Sequence, residues 1–189
     1  SVEATRRLLD AAGDAGVSHV VHLSSATVYG AWSDNPVPLP ETAPLRPNAG
    51  AGFPAAKAEA ERLVAEWRAA HPSATATVLR PAVTVGMGRE SWLARTVGGL
   101  RAVRVRGASR PLQFLHGDDL VTAVALAITQ RIDGPCNVAP DGWMTDETAK
   151  ALTTGPLRIG LPRRLALTLT GVPQAYLPYP CHPWVIAND

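Results

Sequence analysis

Val20-Val21-His22-Leu23-Ser24-Ser25-Ala26-Thr27-Val28-Tyr29-Gly30, read together with Phe53-Pro54-Ala55-Ala56-Lys57, decides the fold of this 189-residue chain. A β-branched apolar run ending in two small hydroxyl residues describes a buried strand. Such a strand delivers a donor to the carboxyl edge of a sheet, where open α/β folds place their ligands. Ser25 is that donor. Lys57 lies on a helix, and the residue four positions before it shares its face. A tyrosine there would exchange a proton, the ammonium lowering its pKa from about 10. Position 53 holds Phe, which has no proton to move.

Outward from this stretch the chain alternates helix and strand, the pattern of a parallel sheet covered on both faces. Upstream, Thr5, Leu8, Leu9 and Ala12 form an apolar stripe, and the glycines at 13 and 16 end that helix. A strand over 19–24 follows. Residues 31–52 carry Pro36, Pro38, Pro40, Pro44 and Pro47 and read as a long ordered loop. The helix over about 54–70 has Pro in its first turn and an apolar face of Ala60, Leu63, Val64 and Trp67. Lys57/Glu61 and Arg62/Glu66 are spaced as i,i+4 pairs. Strands are expected near 74–79 and 112–116, then a helix whose first turn carries Asp118 and Asp119. The rhythm breaks over about 86–109 and again from 141. There Arg101–Arg106 alternates like a half-exposed strand, and 146–152 and 162–170 read as short helices.

Six motifs in order resemble the extended short-chain dehydrogenase/reductases, the NAD-dependent epimerase/dehydratase group. The helix 2–12, Ser24-Ser25-Ala26-Thr27-Val28-Tyr29-Gly30, and the loop Glu41-Thr42-Ala43-Pro44-Leu45-Arg46-Pro47 are similar to its segments. So are Leu79-Arg80-Pro81-Ala82-Val83, Gln113-Phe114-Leu115-His116-Gly117-Asp118-Asp119-Leu120, and Asn137-Val138-Ala139. The hallmark Tyr-x-x-x-Lys is present with Phe53 at the Tyr position. The resemblance implies an α/β fold: a partial Rossmann-like parallel sheet with helices on both faces and a small C-terminal substrate-binding lobe. Residues 1–140 would be the remainder of the nucleotide-binding domain, with a lobe insertion at about 86–110, and 141–189 part of the lobe. It also implies catalytic roles for Ser25, Lys57 and position 53, cofactor contacts from Lys57, Pro81 and Val83, and substrate contacts from Thr27 and Tyr29.

The family cradles its cofactor pyrophosphate on a first turn G-x-x-G-x-x-G, where glycines permit close backbone approach to a helix N-terminus. That turn is not in this sequence. The chain is therefore expected to be an N-terminally truncated member, with NAD or NADP used by the full-length parent and bound weakly or not at all here. The implied function is NAD(P)-dependent oxidoreductase, epimerase or dehydratase chemistry on a carbonyl or alcohol of a small molecule, weakened or lost. The alternative is a catalytically silent nucleotide-binding or sensor protein. Sugar-nucleotide epimerases of the group carry an Arg where this chain has Leu112. A nucleotide-diphosphate sugar is accordingly not the expected substrate unless Arg110 or Arg106 substitutes.

Composition sets further bounds. A net charge of +2, with dispersed basic residues, does not suggest a nucleic-acid partner. No apolar run reaches membrane-spanning length, and no signal peptide is visible, so a cytoplasmic location is expected. Cys136 and Cys181 lack C-x-x-C spacing and read as inert thiols, and no ligand set for a metal stands out, His182 beside Cys181 included. Gly86-Met87-Gly88 lacks the third glycine of a dinucleotide fingerprint. His22, Ser25 and Asp118 do not form a hydrolase triad, because His22 and Ser25 fall on opposite faces of a period-2 strand. By family analogy, a homodimer through the Lys57 helix and the helix preceding the Ser25 strand is possible.

Overall fold

The structure, a computed structural model, describes residues 2–86, 88, 103–105, 111–145, 148, 159–161, 174–176, 178–179 and 181–188. Helix α1 (Val2–Asp14) buries Leu9, with Thr5 and Ala12 half-buried. The expected stripe is narrower than predicted. Leu8 is 63% exposed, because adjacent residues on a helix point about 100° apart and Leu9 takes the inward position. The helix closes on Gly16 at φ +65°, with Gly16 N donating to Gly13 O (3.0 Å) and Val17 N to Ala12 O (2.9 Å). This is the glycine-terminated turn that satisfies the last carbonyls of a helix.

Strand β1 (His19–Leu23) runs into a 3-10 turn at Ala26–Tyr29, and a long loop then leads to helix α2 (Gly52–Ala70). Strands β2 (Thr75–Pro81), β3 (Val83–Val85), β4 (Val103–Val105) and β5 (Phe114–His116) precede helix α3 (Gly117–Gln130). Strands β6 (Gly134–Val138) and β7 (Ile159–Leu161) follow. The main sheet is parallel in the order β1-β2-β6, with His19↔Thr75 through Leu23↔Leu79 and Thr77↔Gly134 through Pro81↔Val138 in register. β3 pairs in parallel with β5, and β4 with β7. The anticipated strand at 101–106 is thus present as β4. The anticipated helices at 146–152 and 162–170 lie outside the described residues, Thr148 excepted.

Helices cover both faces, as the alternating pattern requires. On one face α2 turns Leu63, Val64 and Trp67 onto Ala76 and Val78 of β2, together with Leu9 of α1. On the other, α3 reaches β1, where His19 Nε2 lies 3.1 Å from Ala127 O. A second core gathers at the carboxyl end of the sheet around Val28, Tyr29, Leu39, Leu115, Tyr179 and Ile186. Trp184 and Ile186, in the stretch that the sequence reading assigns to the lobe, pack into this core. Trp184, Val185 and Ile186 are buried, Leu39 N donates to Val185 O (2.8 Å), and Ala187 N donates to Leu39 O (2.9 Å). An apolar triplet this long gains more from the core than from solvent.

Candidate active site

The parallel register brings the ends of β1, β2 and β6 to one edge. Ser24 N donates to Leu79 O (2.8 Å) and Ala82 N to Val138 O (2.9 Å), so the chain leaves all three strands at the same level. Ser25, in extended backbone, caps the 3-10 turn. Its Oγ accepts from Thr27 N (3.3 Å) and Thr27 Oγ1 (3.0 Å). Neither bond uses the Ser25 hydroxyl hydrogen. Lys57 reaches the same edge from α2, donating from Nζ to Leu23 O at 2.5 Å. The Phe53 ring centroid lies 5.8 Å from that Nζ, and Phe53 is 52% exposed. Burial holds the Lys57 ammonium below its ordinary pKa, against the pull of Glu61. Pro81 ends β2 and Val83 opens β3, both buried just past the same edge.

Thr27 and Tyr29, expected at the substrate, lie in the core, 3% and 1% exposed. Thr27 bears on the site through Ser25. Tyr29 donates its hydroxyl to Asn137 Oδ1 (2.9 Å) and accepts from Arg80 Nη1 (2.7 Å), so both functions of the phenol are spent. Burial pushes its pKa up, against the lowering effect of Arg80.

A buried ionic network lies beneath the site. Arg80 Nη2 meets Glu61 Oε2 at 2.7 Å, and Ser24 Oγ donates to Glu61 Oε1. Glu61 therefore pairs with Arg80 and Ser24, not with Lys57 as the i,i+4 spacing suggested. The signal for this was an arginine inside the buried run of β2, since a buried guanidinium requires a carboxylate. His22 enters the sequence reading only through the triad that its strand face excludes. Its Nε2 is buried without a hydrogen-bond partner, and burial and Lys57 lower its pKa while Glu61 opposes them.

A nicotinamide cofactor can be tested against these residues by the chemistry of its donors. An ammonium at the strand edge offers hydrogen bonds suited to the hydroxyls of a ribose, while Pro81 and Val83 are buried where β2 ends and β3 begins. The residues present fit the nicotinamide-ribose half. For the pyrophosphate the sequence offers no glycine-rich turn. Among the described residues no three His, Cys, Asp or Glu side chains gather as a metal site, and no helix is long and apolar enough to cross a membrane. Cys136 and Cys181 are free, and burial pushes the Cys136 thiol up.

The model of the NAD dependent epimerase/dehydratase family matches residues 1–139. The chain belongs to this family. Among curated relatives, a 4-hydroxy-2-methyl-3-oxo-4-farnesyl-3,4-dihydroquinoline-1-oxide ketoreductase of Stigmatella aurantiaca is 34% identical over 106 residues, 56% of this chain and 31% of that protein. An uncharacterized protein of Mycobacterium tuberculosis is 29% identical over 126 residues, 67% of this chain and 34% of that one. Among solved structures, a dTDP-glucose 4,6-dehydratase of Bacillus anthracis in complex with NAD superposes with a TM-score of 0.66 at 16% identity. That match covers 97% of this chain and 57% of the other. A dTDP-glucose 4,6-dehydratase of Streptomyces venezuelae gives 0.68 at 20% identity, over 99% and 56%. These likenesses bear on the fold, a Rossmann-like α/β arrangement. The chain spans about a third of the length of the curated relatives it matches.

Proposed function

We propose that the protein is an NAD(P)-dependent oxidoreductase of the epimerase/dehydratase family, acting in the cytoplasm on a carbonyl or alcohol carbon of a small molecule, its ordinary acid-base group weakened or rerouted. The observation that carries this reading is the convergence of Ser25 Oγ and Lys57 Nζ on the carboxyl edge of β1, with the Phe53 ring beside the ammonium. Bound nicotinamide supplies or accepts a hydride. Lys57 holds the ribose hydroxyls, Pro81 and Val83 wall the ring, and Ser25 donates to the substrate oxygen. Thr27 positions Ser25 and does not touch substrate. Residues from 141 onward, apart from 183–188, supply the substrate lobe, and α1 with α2 form the face of a homodimer.

The sugar-nucleotide enzymes among the structural neighbours are too distant in sequence to carry their substrates across. Leu112 stands at the position that grips a diphosphate in such enzymes, and it pairs through its backbone with Met144, N to O at 2.8 Å. Arg106 and Arg110 lie outside the described residues.

The test is NADH binding and turnover in the full-length protein. Saturable binding by fluorescence, with NADH oxidation against a series of ketones and aldehydes that is lost in Lys57→Met and reduced in Ser25→Ala, supports the reading. Phe53 favours a second one, a catalytically silent nucleotide-binding protein, which predicts binding without turnover. An absence of binding to both NADH and NADPH overturns both.

A further inference from the structure

The side chains of β1 alternate between the two faces of the sheet. Val20 packs against the cluster of Leu63, Val64, Trp67 and Val78, and Ser24 Oγ donates to Glu61 Oε1 of α2. His22 stands between them in the strand, so its imidazole faces α2 as well. Its register partner in β2 is Val78, a member of the same cluster. Lys57 reaches this level from the helix, donating from Nζ to the carbonyl of Leu23, the residue after His22, at 2.5 Å. Glu61 follows one turn further along α2. The imidazole is thus set beneath the turn of helix that carries both charges.

His22 Nε2 is buried there with no hydrogen-bond partner. His19, on the opposite face, shows the ordinary arrangement, with Thr75 Oγ1 at 2.6 Å and Ala127 O at 3.1 Å from its ring nitrogens. The charges that share the α2 side with His22 are unevenly fastened. Arg80 is buried and bonded to Glu61, the Tyr29 hydroxyl and Glu41 O, and Glu61 is committed to Arg80 and Ser24. Among the described residues Lys57 has one hydrogen bond, to Leu23 O. The charged residues of α1, Glu3, Arg6, Arg7, Asp10 and Asp14, are exposed. Burial first and then Lys57 hold the His22 pKa below its ordinary value, with Glu61 opposing.

We propose that His22 positions Lys57 through its charge: while neutral it leaves the ammonium on Leu23 O at the strand edge, and once protonated it drives the ammonium off that carbonyl and loosens the hold on the cofactor's ribose. This role rests on the oxidoreductase reading, in which Lys57 holds the ribose hydroxyls. A proton on His22 adds a third cation to Lys57 and Arg80, against the single carboxylate of Glu61. Like charges repel most where water is excluded, and the group held by one hydrogen bond gives way before the one held by several. The ring takes its proton only below about pH 6.5, so the cofactor is held at neutral pH and released as the medium acidifies.

Two measurements on the full-length protein test this. The Kd of NADH, or of NADPH where that is the form bound, should be level above about pH 7 and rise several-fold by about pH 5.5, and in His22→Gln the ratio between the two pH values should fall to near one. Parallel pH profiles in the two proteins overturn the proposal, since a histidine that only fills space gives that result. NMR titration of the His22 ring protons reads the coupling without cofactor. In Lys57→Met the His22 pKa should rise, because the cation that opposes its proton is gone; an unmoved pKa overturns the proposal while cofactor binding stands. Failure of both NADH and NADPH to bind overturns the oxidoreductase reading itself, an outcome the NMR titration does not share.

Discussion

Glu61 and Arg80 face each other with side chains 5% and 7% exposed, and removing either leaves a charge buried alone. Arg80→Met or Glu61→Gln should therefore cost about 3–5 kcal/mol in urea denaturation, and Arg80→Met with Glu61→Leu should recover much of it. His22 gives a pH signature. Its pKa is lowered in the folded state by burial and by Lys57, with Glu61 opposing, so the unfolded chain takes up the proton first as pH falls below about 6.5. Its contribution is complete above that pH and is lost as pH drops toward the folded pKa. Melting temperature should fall on acidification, and His22→Gln should reduce the fall; an identical pH dependence in the variant would assign it elsewhere. Ser25, Phe53 and Lys57 were legible because strand end and helix spacing are local. Glu61 was misread because Lys57 offered a carboxylate partner four residues away, while Arg80 lies 19 residues on and in another element.

At the scale of elements, two glycines with similar backbone do different work. Gly16, at φ +65°, ends α1 with nothing within 4 Å of where a Cβ would stand, so Gly16→Ala should cost only the left-handed conformation, about 1–2 kcal/mol. Gly30, at φ +69°, would set a Cβ 2.2 Å from Arg46 O and 2.5 Å from Trp32 Nε1. Gly30→Ala should destabilise more than Gly16→Ala, and a comparison of the two by thermal melting decides it. The buried face of α2 followed from 3.6-residue periodicity, and β2 from its apolar run. β3 and β7, three residues each, carry too few side chains for a period to show. The exposure of Leu8 likewise depends on which neighbour α1 meets, a tertiary fact absent from its own pattern.

For the molecule as a whole, the parallel α/β plan was readable because strand and helix signals alternate through residue 138, whereas the return of 183–188 to the core joins segments far apart in sequence. The 189-residue chain by itself should bind NAD+ weakly, since Lys57, Pro81 and Val83 address only the nicotinamide-ribose half. Micromolar affinity in calorimetric titration would show that another group holds the phosphates. Among the described strands β1 is an edge, and unpaired edges invite association, so sedimentation of the isolated chain should depend on concentration. The last described residues act as a fastener. Gln113 clasps Ile186 through both backbone groups at 3.0 Å, Asn137 Nδ2 holds Ala187 O at 2.7 Å, and Leu39 bridges the same segment. Ribosomes add about 5–20 residues per second, so roughly 7–30 s pass between synthesis of Leu39 and arrival of the residues that clasp it. Throughout that interval the loop over 31–52 waits beside a half-built sheet without the segment that clasps it.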